Sequence, residues 1–130
     1  MAKIKRLWLL TVTSTESFAG THAGVRLEIV SRNGNRMWAD IGDPNQNDRE
    51  CGQTGCHELV LSETEYVDDT QIQEIRLRIN DGPDAWLPKS IWIISENVDG
   101  GTKLLSADPD WNRWFDPESR PGYALRLLPQ

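Results

Sequence analysis

Apolar and polar residues alternate along several short stretches of this chain. Within residues 72–79, Ile75, Leu77 and Ile79 are separated by arginines. A repeat of two residues is typical of a strand with one buried face and one solvated face. Residues 80–84, Asn-Asp-Gly-Pro-Asp, concentrate turn formers, so we predict that the chain reverses direction there.

The segment after this turn is almost continuously apolar. Residues 85–95 contain Trp86, Leu87, Ile91, Trp92, Ile93 and Ile94. Such a run is too apolar for an exposed helix, and it is rich in the β-branched and aromatic residues that favour strands. The pattern therefore predicts a core strand at residues 85–95.

Residues 6–14 predict a central strand, because two apolar sets alternate along them. These sets are Trp8, Leu10 and Val12 on one face and Leu7, Leu9 and Thr11 on the other. A strand that is largely apolar on both faces is expected in the middle of a sheet. The residues that we predict to be mostly buried in the whole chain are Leu10, Val12, Leu27, Ile29, Leu77, Ile79, Ile91 and Ile93.

Further short strands are predicted along the rest of the chain. Their approximate positions are residues 25–29, 36–41, 57–61, 102–106 and 123–127. The pairs Asn33-Gly34 and Asp99-Gly100 are hairpin signals, and the polar residues 42–55 are predicted to form a long loop. About eight short strands without an amphipathic helix predict an all-β fold, an antiparallel β-sandwich. We expect one domain over residues 1–130.

Composition excludes some classes of partner and location. The net charge of −6 makes nucleic acid an unfavourable partner, because an acidic surface repels phosphates. No apolar run approaches the ~20 residues that span a bilayer, so we expect no transmembrane segment. The basic start at residues 3–6 is followed by too short an apolar stretch for a convincing signal peptide. We therefore expect a cytoplasmic protein.

Three stretches resemble the PLAT (lipoxygenase-homology) domain. Residues 9–29, LLTVTSTESFAGTHAGVRLEI, resemble its first two strands and the Ala-Gly-Thr loop between them. Residues 80–93, NDGPDAWLPKSIWI, resemble its acidic loop and the tryptophan that opens a central strand. Residues 111–116, WNRWFD, resemble its C-terminal motif. The resemblance implies a small β-sandwich that docks proteins onto lipid surfaces or protein partners.

The resemblance also bears on calcium. In calcium-binding members of the family, aspartates flank the Ala-Gly-Thr motif of the first loop, but here those positions are Phe18 and His22. An apolar ring and an imidazole replace two hard anionic ligands. Only Asp81 and Asp84 remain as candidate ligands for a calcium ion, and they are weak candidates. We therefore expect no cofactor.

The sequence offers little chemistry for catalysis or zinc. Cys51, Cys56 and His57 supply three potential zinc ligands, with only His22 left as a fourth. The two cysteines are alternatively a local disulfide or, as the simplest interpretation, free thiols. No nucleophile elbow, zinc-protease or phosphate-loop motif is present, so we expect a non-enzymatic protein.

The six tryptophans are the most informative residues for function. We expect Trp8, Trp92 and Trp114 in the core, and Trp38, Trp86 and Trp111 partly exposed. Phe18, Trp38 and Trp86 are the predicted contact residues for a lipid surface or a protein partner. One alternative is a carbohydrate-binding sandwich that stacks sugars on Trp38, Trp86 or Trp111, and another is a regulatory subunit of a separate enzyme.

Overall fold

The computed structural model describes residues 3–15, 25–32, 34, 36–41, 54–61, 67–79, 86–115 and 123–128. These residues form nine strands and a short 3₁₀ helix, Asp69–Gln71. The strands are β1 (Lys3–Thr13), β2 (Val25–Ser31), β3 (Arg36–Ile41), β4 (Thr54–Val60), β5 (Val67–Asp68), β6 (Ile72–Ile79), β7 (Pro88–Asn97), β8 (Thr102–Asp108) and β9 (Tyr123–Ala124). None of the helical structure in these ranges is long and apolar enough to cross a membrane.

The strands form two antiparallel sheets. The five-stranded sheet has the order β4-β1-β7-β8, and β5 pairs with the start of β1. The four-stranded sheet has the order β3-β2-β6-β9. The predicted antiparallel β-sandwich is thus confirmed, and β1 occupies the central position that its two apolar faces indicated.

The core lies between the two sheets and consists mainly of large aliphatic side chains from the long central strands, together with the rings of Trp86 and Phe115. Its fully buried members include Ile4, Leu7, Leu9, Leu27, Ile29, Ile75, Leu77, Ile91 and Ile93. The predicted burial of Leu27, Ile29, Leu77, Ile91 and Ile93 is confirmed. The side chain of Ile79 lies outside the described set.

The prediction that Leu10 and Val12 are buried in the core is wrong. Leu7 and Leu9 point into the sandwich, and successive side chains of a strand point to opposite faces. Leu10 and Val12 therefore lie on the outer side of the sheet, where they are only half-buried. Because both alternating sets of β1 are apolar, the pattern could not distinguish the inner set from the outer one.

Two glycines make the predicted hairpin turns. Gly34 connects β2 to β3 with φ of 89°, and Gly100 connects β7 to β8 with φ of 93°. Only glycine adopts these values without a steric penalty, which explains the Asn-Gly and Asp-Gly pairs.

The C-terminal segment joins the two sheets along one side of the sandwich. The backbone N–H of Leu125 donates to the carbonyl oxygen of Ile75 in the four-stranded sheet, at 2.8 Å. The backbone N–H of Leu128 donates to Leu105 in the five-stranded sheet, at 3.0 Å. This crossing places residues 124–126 beside the end of β8, where they form one wall of a cleft.

Candidate functional site

Trp86 lies inside the sandwich rather than on its surface. Its side chain is 0% exposed, and the indole N–H donates a 2.9 Å hydrogen bond to the hydroxyl oxygen of Thr13. Two backbone hydrogen bonds of 2.7 Å pair Trp86 with Phe115, and the two rings stack with centroids 5.6 Å apart. The expectation that Trp86 is partly exposed is wrong, because its ring is buried and packs against Phe115.

Trp111 belongs to the same aromatic cluster. Its ring stacks on Phe115 with centroids 5.5 Å apart and meets the edge of Tyr123 at 5.8 Å. The indole N–H donates to the carbonyl oxygen of Arg113 at 3.2 Å. Trp111 is half-buried, in agreement with its expected partial exposure, and Phe115 stacks against its ring.

Trp38 lies on the outer side of the four-stranded sheet and is 55% exposed. The guanidinium of Arg26, on the neighbouring strand, lies 4.1 Å from the ring centroid. Of the three predicted contact residues, Trp38 is on the surface and Trp86 is buried, while Phe18 lies outside the described residues. The structure therefore does not bring Trp38 and Trp86 together on one surface.

The most distinctive surface is the outer side of the five-stranded sheet, which we call the apolar face. The strand register places Leu10 directly opposite Trp92, and Trp8 directly opposite Ile94. Directly paired residues in a sheet project to the same side. The members of the apolar face are Trp8, Leu10, Val12, Val60, Trp92, Ile94 and Leu104.

Side chains of the apolar face are accessible to solvent although they are hydrophobic. Val60 is 63% exposed and Leu104 is 41% exposed, at opposite margins of the sheet. Trp8 and Trp92, between them, are half-buried by their neighbours in the sheet. The expectation that Trp8 and Trp92 lie in the core is therefore wrong, as is that for Trp114, which is exposed.

Charged side chains close one end of the apolar face. The Nε atom of Arg6 lies 3.2 Å from a carboxylate oxygen of Glu58 and 3.6 Å from one of Glu96. Arg6 also lies over the ring of Trp8, with 5.8 Å from the guanidinium carbon to the ring centroid. The register places Glu58 directly opposite Trp8, and Arg6 between Val60 and Glu96. The apolar centre therefore lies on β1, β7 and β8, and the paired charges border it towards β4.

The outer side of the four-stranded sheet has the opposite character. The register there pairs Glu28 with Arg76 and Arg26 with Arg78. Arg36 forms an ion pair with Glu28 at 3.2 Å, and Arg76 forms one with Glu74 at 2.7 Å. Apart from Trp38, this surface is ordinarily solvated, so hydrophobic exposure is concentrated on the other sheet.

Sequence reasoning missed the apolar face because it assigned every strongly apolar strand to the core. In a two-layer sandwich, each strand has one face towards the partner sheet and one face away from it. A strand that is apolar on both faces therefore exposes one of them. The run Trp92-Ile93-Ile94 and the apolar pairs of β1 were the available signal.

A cleft of about 320 Å³ lies where the end of β8 meets the C-terminal segment. It is lined by Asp108, Asp110, Trp111, Arg113, Ala124, Leu125 and Arg126. The lining therefore combines two carboxylates, two guanidinium groups and an indole.

Metal-binding chemistry is absent from the described part of the chain, where no three His, Cys, Asp or Glu side chains converge. Cys56 is an exposed free thiol on β4. Asp81, Asp84 and Cys51 lie outside the described residues, so the calcium and zinc hypotheses remain predictions from the sequence.

The fold and the sequence together define the class of this domain. Residues 8–128 match the family model of the PLAT/LH2 domain. The chain belongs to the PLAT/LH2 domain family, which confirms the resemblance found in its motifs. No curated protein sequence matches the chain.

Solved structures of two toxins and a lipoxygenase contain the same fold. The alpha toxin of Clostridium absonum superposes with a TM-score of 0.78 at 19% identity, over 96% of this chain and 32% of the toxin. The Clostridium perfringens alpha-toxin superposes with a TM-score of 0.75 at 19% identity, over 97% of this chain and 32% of the toxin. Coral 8R-lipoxygenase, which is described as activated by calcium through a C2-like domain, superposes with a TM-score of 0.65 at 20% identity. The match covers 94% of this chain and 17% of the lipoxygenase. This chain spans about a third or less of each protein.

Proposed function

We propose that this PLAT domain is a non-catalytic docking module and that it binds a protein partner through the apolar face. The observation that supports this proposal is the exposed pairing of Trp8 with Ile94 and of Leu10 with Trp92. Soluble domains ordinarily place such side chains between their sheets, and contiguous exposed apolar patches mark interaction sites.

The size of the apolar face suits the centre of a protein interface. Three strands spaced ~4.8 Å apart, over about six residues of ~3.3 Å each, give roughly 300 Å². A standard interface buries about 800 Å² on each partner, and its centre is apolar while its rim is polar. The apolar face therefore forms the centre, and the surrounding charged residues extend it.

The charged rim favours a protein partner over a lipid surface. If the flat face lay on a bilayer, Glu58 and Glu96 would be pressed towards the headgroups together with Arg6. Burying these charges is unfavourable unless they stay paired and hydrogen-bonded. A protein partner can leave them at a wet margin, where polar contacts determine orientation rather than affinity.

The structural relatives are consistent with an accessory role. In the Clostridium absonum toxin and in the coral lipoxygenase the matching region is 32% and 17% of a longer chain. A domain of this fold therefore occurs as one part of a longer protein. An apolar sheet surface is suited to contact with another protein domain.

Site-specific photo-crosslinking tests the proposal. A photoreactive phenylalanine analogue at Leu104 is expected to form an adduct with a defined protein in the native host cell. The matched control carries the same analogue at Val98, which is 51% exposed on the β7–β8 turn outside the apolar face. Ile94→Glu, directly opposite Leu104 in the register, is expected to abolish the adduct from position 104, because an unpaired charge cannot be buried in an apolar contact.

Liposome flotation distinguishes the lipid alternative. The domain is expected not to float with neutral or anionic vesicles. If the domain does float with vesicles, and Val60→Glu and Leu104→Glu abolish this flotation, the apolar face binds a lipid surface. That result would overturn the choice of a protein partner. If positions 98 and 104 give the same adducts, or if neither gives an adduct, the apolar face is not the docking surface.

A further inference from the structure

We propose that the cleft between the end of β8 and the C-terminal segment binds a neutral, polyhydroxylated ligand, a sugar unit of a glycan. This site lies apart from the apolar face, so the proposal is independent of the docking function. Its residues come from Asp108 to Arg113 on one side and from Ala124 to Arg126 on the other.

The polar groups of the cleft are held in place by the fold. A carboxylate oxygen of Asp108 accepts a hydrogen bond from the backbone N–H of Arg126 at 3.3 Å, and the Ser106 hydroxyl donates to the carbonyl oxygen of Arg126 at 2.8 Å. The guanidinium of Arg126 donates to the carbonyl oxygen of Ala107 at 3.1 Å. Charged surface side chains are usually mobile, whereas these two are anchored across the cleft.

Arg113 is positioned by aromatic rings. Its guanidinium carbon lies 5.4 Å from the ring centroid of Trp111 and 6.0 Å from that of Tyr123, within the range of cation–π attraction. The rings are themselves packed against Phe115. A binding site with pre-positioned polar groups loses less conformational entropy when the ligand arrives.

The balance of charge in the lining selects the ligand class. Asp108 and Asp110 offset Arg113 and Arg126, so an anion meets two carboxylates and a cation meets two guanidinium groups. A neutral ligand whose hydroxyls both donate and accept hydrogen bonds can use all four. The exposed part of the Trp111 ring adds apolar surface for the C–H groups of a sugar ring, whereas Leu125 is only 4% exposed and forms the floor of the cleft.

The volume of the cleft limits the size of the ligand. At about 320 Å³ it lies at the lower end of the range for small-molecule sites. One or two sugar rings fit this space, and a longer glycan would extend beyond it into solvent. We therefore expect recognition of a terminal or short unit and an affinity in the millimolar to high micromolar range.

Amide and indole NMR spectra of the isolated domain test the proposal, with maltose, cellobiose, xylobiose and chitobiose as probes. At least one disaccharide is expected to shift the indole N–H of Trp111 and the backbone N–H of Ala124 and Arg126. The indole N–H of Trp38, on the opposite sheet, is expected to stay unchanged.

Variants in exposed side chains make the test specific. Asp110→Ala and Arg113→Gln are each expected to weaken binding by about tenfold, while Arg36→Gln, a matched arginine change on the other sheet, leaves it intact. Unchanged amide spectra away from the cleft show that the variants fold. The proposal is overturned if no disaccharide shifts the cleft resonances, if only phosphate or citrate shifts them, or if neither cleft variant weakens the effect.

Discussion

The indole N–H of Trp86 donates a buried 2.9 Å hydrogen bond to the hydroxyl oxygen of Thr13, across 73 positions of the chain. Thr13 is the last residue of β1, and Trp86 precedes β7 by two residues. The bond therefore satisfies the one polar atom of a fully buried indole at the end of two paired central strands. The hydrogen bond also explains how the Trp86 indole, with its polar N–H, is accommodated in the core.

Replacing Thr13 with Val is expected to lower the free energy of unfolding by about 1–3 kcal/mol, because it leaves the buried indole N–H of Trp86 without an acceptor. Urea denaturation followed by tryptophan fluorescence measures the change.

Thr11 provides a matched control on the same face of β1. Its hydroxyl is buried and has no hydrogen-bond partner among the described residues. Thr11→Val replaces this hydroxyl with a methyl group of similar shape, so stability is expected to stay equal or rise. Equal losses for Thr11→Val and Thr13→Val would contradict the role assigned to the Trp86 hydrogen bond.

Truncation of Leu77 to Ala is expected to cost about 2–5 kcal/mol of unfolding free energy, because the side chain is fully buried between the sheets. Val98→Ala, at an exposed turn position, is expected to change stability by less than about 0.5 kcal/mol. Chemical denaturation of both variants measures the difference. A loss of under half the lower bound for Leu77→Ala would mean that this position tolerates a cavity.

Asp68 links stability to acid pH. Its carboxylate accepts hydrogen bonds from the backbone N–H of Thr70 at 2.9 Å and from the Thr70 hydroxyl at 2.8 Å, and these bonds lower its pKa below the ordinary value of 3.8. A lowered folded-state pKa contributes stability that is fully present above the ordinary value and is lost as the pH falls through the lowered one.

NMR titration of the Asp68 carboxyl carbon is expected to show this lowered pKa, and Thr70→Ala is expected to move the pKa back towards the ordinary value. Thr102→Ala, on an exposed strand end, serves as the control. The backbone N–H of residue 70 remains in this variant, so only part of the shift is expected to disappear. An Asp68 pKa that does not respond to Thr70→Ala would show that the Thr70 hydroxyl does not contribute to the shift.

Trp38→Ala is expected to leave crosslinking from position 104 unchanged. Trp38 lies on the four-stranded sheet, whereas Leu104 belongs to the apolar face of the other sheet. The crosslinking assay described for Leu104 measures this directly. Loss of the adduct in Trp38→Ala would indicate a partner that contacts both sheets.

Millimolar calcium is expected to leave the melting temperature unchanged, because the motif resemblance implies that Phe18 and His22 stand where calcium-binding members of the family have aspartates. A ligand that binds only the folded state must raise the melting temperature by mass action. A calcium-dependent rise would reverse this expectation, and Asp81→Asn and Asp84→Asn would then identify the ligands.

Local chemistry in the sequence was sufficient to predict much of the fold. Alternation of period two predicts strands because successive side chains project to opposite faces. The glycines at positions 34 and 100 predict hairpins because the turns require positive φ. Each of these signals depends on residues that are close together in the chain.

The position of the functional surface was decided by tertiary packing. Alternation shows that β1 has two faces but not which one meets the second sheet, and both sets of side chains were apolar. Trp86 is buried because Phe115, 29 residues further along the chain, pairs with it. The cleft exists because residues 124–126 cross beside the end of β8. These contacts join residues far apart in sequence, and their free energy depends on how the two sheets pack, which no local pattern specifies.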